Sequence, residues 1–282
     1  MGDLIFSASF TAAMFDNPGK YYKILYLLKM PLKKRYFIFL SFDGTSYHGW
    51  QVQPGKITVQ SKLEEALSVI LREKIKTTGA GRTDTGVHAR SFVAHFDSAR
   101  EDLAENQNIL FRLNTYLPPD ISVDDILVVN NQAHARYDAK SRTYRYYISL
   151  KKDPFSRKYT WYRYGNMDID AMNQASAYLM KYEDFTSFSK LHTQVKTNIC
   201  KIYEAGWITD NNILVFTIRA NRFLRNMVRS IVGSMVEIGT GKMSPAEIEN
   251  IIMAKDRSAA GVSAPAEGLF LESIEYDPGI FL

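Results

Sequence analysis

The sequence predicts an α+β protein made of two similar subdomains, each with a mainly antiparallel sheet flanked by helices. Three observations predict this class. Aromatic-rich or alternating segments indicate strands, segments with apolar residues at helical spacing indicate helices, and both halves of the chain follow the order strand, helix, strands. With 282 residues, 46% of them hydrophobic, the chain is long enough for two domains that each bury a core.

In the first half, the run RYFIFLSF is rich in aromatic residues and isoleucine, which favours a strand. Thr58 is a suitable N-cap for a helix whose apolar side chains recur at helical spacing. A short helical stretch then precedes a Pro-Pro-Asp turn. The predicted elements are a strand over 35–42, a helix from Thr58, and strands over 91–97 and 121–129.

The second half contains the clearest helix, because Leu224, Val228, Ile231 and Met235 lie on one apolar stripe. A turn at 210–212 joins two strand-like runs, as expected for a hairpin. The predicted elements are a strand Arg142–Leu150, a helix Ile169–Met180, a hairpin of 200–208 and 212–220, a helix Phe223–Ile238 and a strand over 268–276.

We predict three parts in the chain: an N-terminal extension over 1–30, an α+β domain over 31–135 and a second α+β domain over 136–282. Residues 1–30 lack clear periodicity and are broken by Pro18-Gly19, so we expect them to be unstructured or not native. Met30 stands just before the first predicted strand, which suggests a translation start there.

Composition narrows the possible functions. The net charge is +5 and the pI about 9.0, which suits a polyanionic partner without establishing one. The single cysteine, Cys200, excludes an internal disulfide framework and any multi-cysteine metal site, and the five histidines show no metal-binding spacing. No segment has the length of a membrane span. We therefore expect a soluble cytoplasmic protein that needs no metal and no cofactor.

The segment from His134 to Tyr164 is both basic and rich in tyrosine. It carries nine Lys or Arg against two Asp, and seven tyrosines are interleaved with them. Cations neutralise phosphates and aromatic faces stack on unpaired bases, so this pattern suits RNA. The alternative is a solvated strand whose tyrosines pack on the core.

The loop from Gly79 to Arg90 is the best catalytic candidate. Gly79, Gly81 and Gly86 allow unusual backbone conformations or a close approach of substrate. Arg82 and Asp84 lie two residues apart, so a guanidinium would keep the carboxylate ionised for nucleophilic attack. The alternative is a structural Arg–Asp pair that closes a turn.

A second basic row is predicted on the helix that starts at Phe223. Arg222, Arg225, Asn226 and Arg229 recur at steps of three and four residues, which places them on one helical face. From this spacing alone, an ordinary exposed arginine at position 229 is the simpler interpretation.

Six segments together resemble the bacterial tRNA pseudouridine synthase A family. They occur in the family's order and cover nearly everything after residue 34, and the GRTD-G-VHA signature is highly specific. Position 85 is Thr where the family often has Ala. The matching segments are YHGWQVQ (47–53), GAGRTDTGVHA (79–89), HARYDAKSRTYRYYI (134–148), EDFTSFS (183–189), FLRNMVRSIVGSMVEIGTGK (223–242) and APAEGLFLESIEY (264–276).

The resemblance implies a role for several residues. Asp84 corresponds to the nucleophile, Arg82 to the arginine associated with base flipping, and Arg229 to the arginine that pairs with the carboxylate. Tyr144 corresponds to the tyrosine that stacks on the target uracil. Arg142 and Arg222 are expected to contact substrate. Whether Asp84 attacks C6 of the base or assists departure from C1′ stays open.

The resemblance also implies the pseudouridine synthase fold, with RRM-like halves and an active-site cleft between them. The expected reaction isomerises uridine at tRNA positions 38–40 in the anticodon stem-loop, and the expected assembly is a homodimer. Three alternatives remain: a synthase for another RNA, a non-catalytic RRM-like RNA-binding protein, and a glycosidase-like hydrolase. The last would need a second positioned carboxylate, which the motif around Asp84 does not supply.

Overall fold

The computed structural model describes residues 33–190 and 197–282, which form one mixed sheet and five α-helices. The strands are β1 Lys34–Phe42, β2 Thr78–Gly79, β3 His88–Ser98, β4 Ile121–Val129, β5 Ser141–Ser149, β6 Trp161–Tyr162, β7 Ile202–Asp210, β8 Ile213–Ala220 and β9 Leu269–Glu275. The helices are α1 Val59–Leu71, α2 Gln107–Tyr116, α3 Ile169–Leu179, α4 Met227–Gly239 and α5 Glu247–Ala254.

The sheet is continuous across both halves of the chain, in the order β4-β1-β3-β9-β5-β8-β7, with β2 beside β3 and β6 beside β5. Most pairs are antiparallel, as predicted, and two are parallel: β3 with β9 and β5 with β6. The C-terminal strand β9 enters the middle of the sheet, where the pairs His88–Phe270 and Ala89–Leu271 join the halves.

Each half packs helices against its part of the sheet. A first core centres on the fully buried Phe92 and on Trp50, whose rings stack 4.1 Å apart, beneath α1. Thr58 and Ser61 form a reciprocal capping box that fixes the start of α1. A second core surrounds α4, which is buried on nearly every face.

Most predicted elements are confirmed within a residue or two, and β3 is longer than predicted because it begins at His88. The helix predicted from Phe223 is wrong at its start. Asn226 adopts a left-handed conformation (φ 66°), so α4 begins at Met227. Helix α5 and the short strands β2 and β6 are absent from the predicted elements.

The predicted extension over 1–30 lies outside the described residues, and the division at 135/136 stays a prediction. In the described ranges, no helix has both the length and the apolar character needed to cross a membrane.

Candidate active site

The loop between β2 and β3 carries Asp84 and is held at both ends. At its start, the Ala80 amide donates to the Val93 carbonyl at 2.8 Å. At its end, the Val87 amide donates to the Asp84 carbonyl at 3.2 Å and closes a turn around Gly86. These hydrogen bonds fix the backbone that carries the Asp84 side chain.

Two of the three glycines in this loop are required by the fold. A Cβ on Gly79 would lie 2.4 Å from the buried Trp50 ring, and Gly86 has φ +80°, a region that L side chains rarely adopt. Gly81 has open space around it and no such φ. The fold therefore does not explain the glycine at position 81.

The carboxylate of Asp84 lies between two arginines from the other half of the chain. Arg229 Nη1 lies 3.3 Å from Asp84 Oδ2, and Arg225 Nε lies 3.6 Å from Oδ1. Asp84 and Arg229 are about one-fifth exposed, whereas Arg225 is more than half exposed. Water therefore screens the Asp84–Arg229 pair less than the Asp84–Arg225 pair.

Arg229 is positioned by the chain that leads into β9. Its Nε donates to the Ala264 carbonyl at 2.7 Å, and the Ala264 amide donates back to the Arg229 carbonyl at 2.9 Å. The close approach depends on Gly233, where a Cβ would lie 1.9 Å from the Val262 carbonyl oxygen. One guanidinium thus links α4, this segment and the Asp84 loop.

Tyr144 lies half-buried on β5, between the two cores. The Phe223 ring packs edge-on against it, with the centroids 5.1 Å apart. Burial raises the pKa of the Tyr144 hydroxyl to about 12, with the charge of Asp84 acting in the same direction and that of Arg142 opposing it. The phenol is therefore neutral at physiological pH.

The guanidinium of Arg142 is occupied by backbone carbonyls. Nη1 donates to Ala139 at 3.1 Å and Asn221 at 2.7 Å, and Nη2 donates to Ala80 at 3.1 Å and Arg136 at 2.5 Å. Burial lowers its pKa, although the group stays charged at neutral pH. Arg142 thereby ties the start of the Asp84 loop to the chain leading into α4.

The predicted ion pair between Arg82 and Asp84 is wrong. Arg82 is exposed, and within the described ranges no acidic side chain lies within ion-pair distance of it. The contacts come instead from Arg225 and Arg229, which are more than 140 residues away in sequence. Spacing in the sequence could not identify these two arginines, because the fold brings them to Asp84 from a distant part of the chain.

The predicted helical row of Arg222, Arg225, Asn226 and Arg229 is also corrected. Only Arg229 lies within α4, and the others precede it in a non-helical segment. This backbone lets Arg225 reach Asp84 and leaves Arg222 half-buried.

Sequence reasoning missed three contributors to the site: Arg225 as a contact of Asp84, Phe223 as a contact of Tyr144, and the Ala264 carbonyl. Both side chains stood within quoted motifs. Nothing in their spacing signalled the contacts, because they depend on where α4 begins.

Comparison with known proteins identifies the family of the chain. The family model described as tRNA pseudouridine synthase matches residues 38–138 and 176–277, which include Asp84 and Arg229. The chain belongs to the tRNA pseudouridine synthase family. The family match does not include residues 139–175, so Arg142, Tyr144 and the basic segment after them stand outside it.

Curated relatives extend the likeness along most of the chain. The chain is similar to the tRNA pseudouridine synthase A of Bacteroides thetaiotaomicron, with 51% identity over 88% of this chain and 93% of the relative. It is 50% identical to that of Parabacteroides distasonis, over 88% of this chain and 98% of the relative. The enzyme of Bacillus subtilis is 40% identical over 84% of this chain and 97% of its own length.

Proposed function

We propose that this protein isomerises uridine to pseudouridine in tRNA, with Asp84 as the catalytic carboxylate. The observation that carries the proposal is the contact between the Asp84 carboxylate and the Arg229 guanidinium, 3.3 Å apart and contributed by the two halves of the chain. Membership in the tRNA pseudouridine synthase family supports the same reaction.

The chemistry follows from the groups present. The N1–C1′ bond of uridine breaks, the uracil turns while it is held, and C5 bonds to C1′; C5 loses a proton and N1 gains one. An isomerisation of this kind requires no net oxidation. The Asp84 carboxylate, which pairs with Arg229, can act as the nucleophile that forms a covalent intermediate between the two bonding states.

Tyr144 acts in this scheme as a surface for the extruded base. A uracil that leaves its stack loses stacking energy, and an aromatic side chain replaces about 1–3 kcal/mol of it per base. Because its pKa is about 12, the phenol is a poor base for the C5 proton at neutral pH. The edge of Phe223 against the ring restricts its orientation.

The remaining arginines have different proposed roles. Arg82, exposed at the loop that carries Asp84, is free to contact the RNA near the flipped nucleotide, and the half-buried Arg222 is a second substrate contact. Arg142, with its guanidinium on four carbonyls, is better suited to position the Asp84 loop than to bind substrate.

The finer features of the proposal come from the family resemblance. They are uridines at tRNA positions 38–40 as targets, a homodimer as the assembly, and RRM-like halves with the cleft between them. The pairing of Asp84 from one half with Arg229 from the other supports a site between the halves. RNA shape and phosphate placement suit an enzyme that accepts several neighbouring uridines.

The direct test incubates the purified protein with an unmodified tRNA transcript and maps pseudouridine by position. We expect product on the 3′ side of the anticodon stem-loop. Product in another RNA but not in tRNA would reassign the substrate. Binding without conversion of any RNA would contradict the enzyme proposal in favour of a non-catalytic RNA-binding protein.

A further inference from the structure

The chain between β5 and α3 contains a surface that the chemistry at Asp84 does not use. We call residues 151–164 the basic loop. It holds five Lys or Arg against one Asp, and the carboxylate of that residue, Asp153, caps its own turn by accepting from the Phe155 amide at 3.0 Å. The basic loop therefore presents a net positive charge to solvent.

Large aromatic side chains stand exposed among these cations. Phe155 is 92% exposed, Tyr164 is 89% exposed, and Tyr159 and Tyr162 are each about 40% exposed. Water covers most of Phe155 and Tyr164, so hydrophobic burial does not explain these two positions, whereas Tyr159 also packs against the buried His88 ring. Exposed aromatic faces between cations are what unpaired bases and phosphates bind in RNA-binding proteins.

The loop also frames an open hollow of about 420 Å³. Lys152, Arg157, Trp161 and Tyr162 contribute to its wall, together with the carboxylate side chains of Asp153 and Glu267. No side-chain hydrogen bond or ion pair engages Lys152 or Arg157 within the described ranges. The two cations are thus available for an anionic ligand.

One short segment of the chain leads from the candidate active site to the hollow. Glu267 lines the hollow, whereas Ala264, three residues earlier, holds Arg229 beside Asp84. Ala266, between them, lies against Gly86 of the Asp84 loop. Residues 264–267 therefore run from the contact with Arg229 to the hollow.

Two hydrogen bonds fix the basic loop to the neighbourhood of Asp84. The buried His88 ring, four residues after Asp84, pairs through Nε2 with the Lys158 carbonyl at 3.1 Å, while its Nδ1 accepts from the Gly44 amide. The Tyr159 hydroxyl donates to Asp43 Oδ2 at 3.0 Å. The loop is therefore anchored to the same framework as the carboxylate.

We infer that the basic loop is a second RNA-binding surface, which holds the sugar-phosphate backbone and an unpaired base of the tRNA whose uridine reaches Asp84. This inference rests on the proposed function. Lys152 and Arg157 bind phosphates, and Phe155 stacks on a base. The surface supplies affinity and placement, whereas Asp84 supplies the chemistry.

The test measures tRNA affinity against salt concentration with Lys152→Gln/Arg157→Gln in an Asp84→Asn background. The matched control is Arg72→Gln/Lys74→Gln, which also removes one Arg and one Lys. These residues flank Glu73, which bonds Ser98 at the far end of β3, about 33 Å from His88. We expect the log–log salt slope to fall by about two in the loop variant and to stay unchanged in the control.

A second pair of variants tests the aromatic contact. Phe155→Ala should weaken tRNA binding at least about fivefold without changing the salt slope. Phe111→Ala, which removes a 68% exposed ring from α2, should leave affinity unchanged. Thermal melting confirms that all four variants fold.

Equal affinity and slope in the loop variants and their controls would overturn the inference and leave the proposed function standing. An equal loss in both charge variants would also overturn it, because the attraction would then be general rather than located in the loop. In a protein that retains Asp84, the loop variants should have a lower kcat/KM, mainly because KM rises. If the loop variants lose tRNA affinity as expected but the wild-type protein converts no uridine, only the proposed function would be refuted.

Discussion

At the scale of single residues, the site depends on which cations reach the Asp84 carboxylate. Arg82 is near in sequence but makes no ion pair with it, whereas Arg229 is remote in sequence and lies 3.3 Å from it. Motif resemblance identified Arg229 correctly as the neighbour of Asp84, although spacing alone favoured an ordinary exposed arginine. A motif shared with a family can therefore indicate a contact between residues that are far apart in the sequence, which local spacing cannot.

Arg229→Ala should slow pseudouridine formation about a hundredfold, because the Asp84 carboxylate loses the less exposed of its two arginine partners. The salt dependence of tRNA binding should not change, since this guanidinium is engaged by Asp84 and Ala264 rather than by phosphate. Single-turnover kinetics and a salt titration measure the two quantities. Arg225→Ala, which removes the more exposed partner, is the matched control and should slow turnover less. A salt slope lower by one unit with normal turnover would contradict this role.

Arg142→Lys should lower kcat more than it raises KM, because one ammonium group cannot reach four carbonyls and the start of the Asp84 loop would lose its anchor. A substrate-binding arginine would behave differently. Its replacement by Gln would raise KM and reduce the salt slope by about one unit. Arg142→Gln measured beside Arg142→Lys separates the two roles. A normal kcat for both variants would contradict positioning.

At the scale of elements, strand β3 carries a buried histidine that links stability to pH. His95 is 7% exposed, and its Nδ1 accepts from the Ala135 amide. Burial lowers its pKa to about 4, with the charges of Arg35 and His134 adding to the effect and those of Asp97 and Asp138 opposing it. In the unfolded chain its pKa returns to about 6.5.

Between pH 6.5 and 4, the His95 ring binds a proton in the unfolded chain but not in the folded protein. The free energy of unfolding should therefore fall as pH drops from about 6.5 to 4, by up to about 3 kcal/mol. Denaturant unfolding at several pH values measures this slope. His95→Gln should flatten it, whereas the exposed His48→Gln should not. An identical slope in His95→Gln would assign the pH dependence to other groups.

Helix α4 transmits packing to the site through one glycine. In Gly233→Ala the new Cβ would approach the Val262 carbonyl to 1.9 Å, so α4 or the 262–264 segment must move. We expect a loss of about 1–3 kcal/mol in the free energy of unfolding and slower turnover, because Ala264 anchors Arg229. Gly206→Ala on β7, where the nearest atom is 3.6 Å away, should change neither. Normal stability and turnover in Gly233→Ala would contradict the proposed coupling.

The helices also show how far sequence patterns could go. The apolar stripe of α4 identified the helix correctly, since burial repeats with helical period. Its start was misplaced because the left-handed Asn226 interrupts the pattern without a proline or glycine. Helix α5 is short, with only Ile248, Ile251 and Ile252 buried, so its periodicity gave little signal.

At the scale of the whole molecule, the parallel pairing of β3 with β9 assembles the site. Neither strand has a sequence feature that predicts this pairing. The pairing brings the chain after α4 beside the Asp84 loop. The sequence could therefore predict the class of fold and most strands, but not how the halves join. The Asp84–Arg229 contact follows from that junction.

The most direct measurement of the central claim compares wild type with Asp84→Asn in single-turnover conversion and in tRNA binding. Asparagine keeps the shape of the side chain and removes its charge. The account predicts that Asp84→Asn binds tRNA as tightly as wild type and forms no detectable pseudouridine. Conversion near the wild-type rate would contradict it.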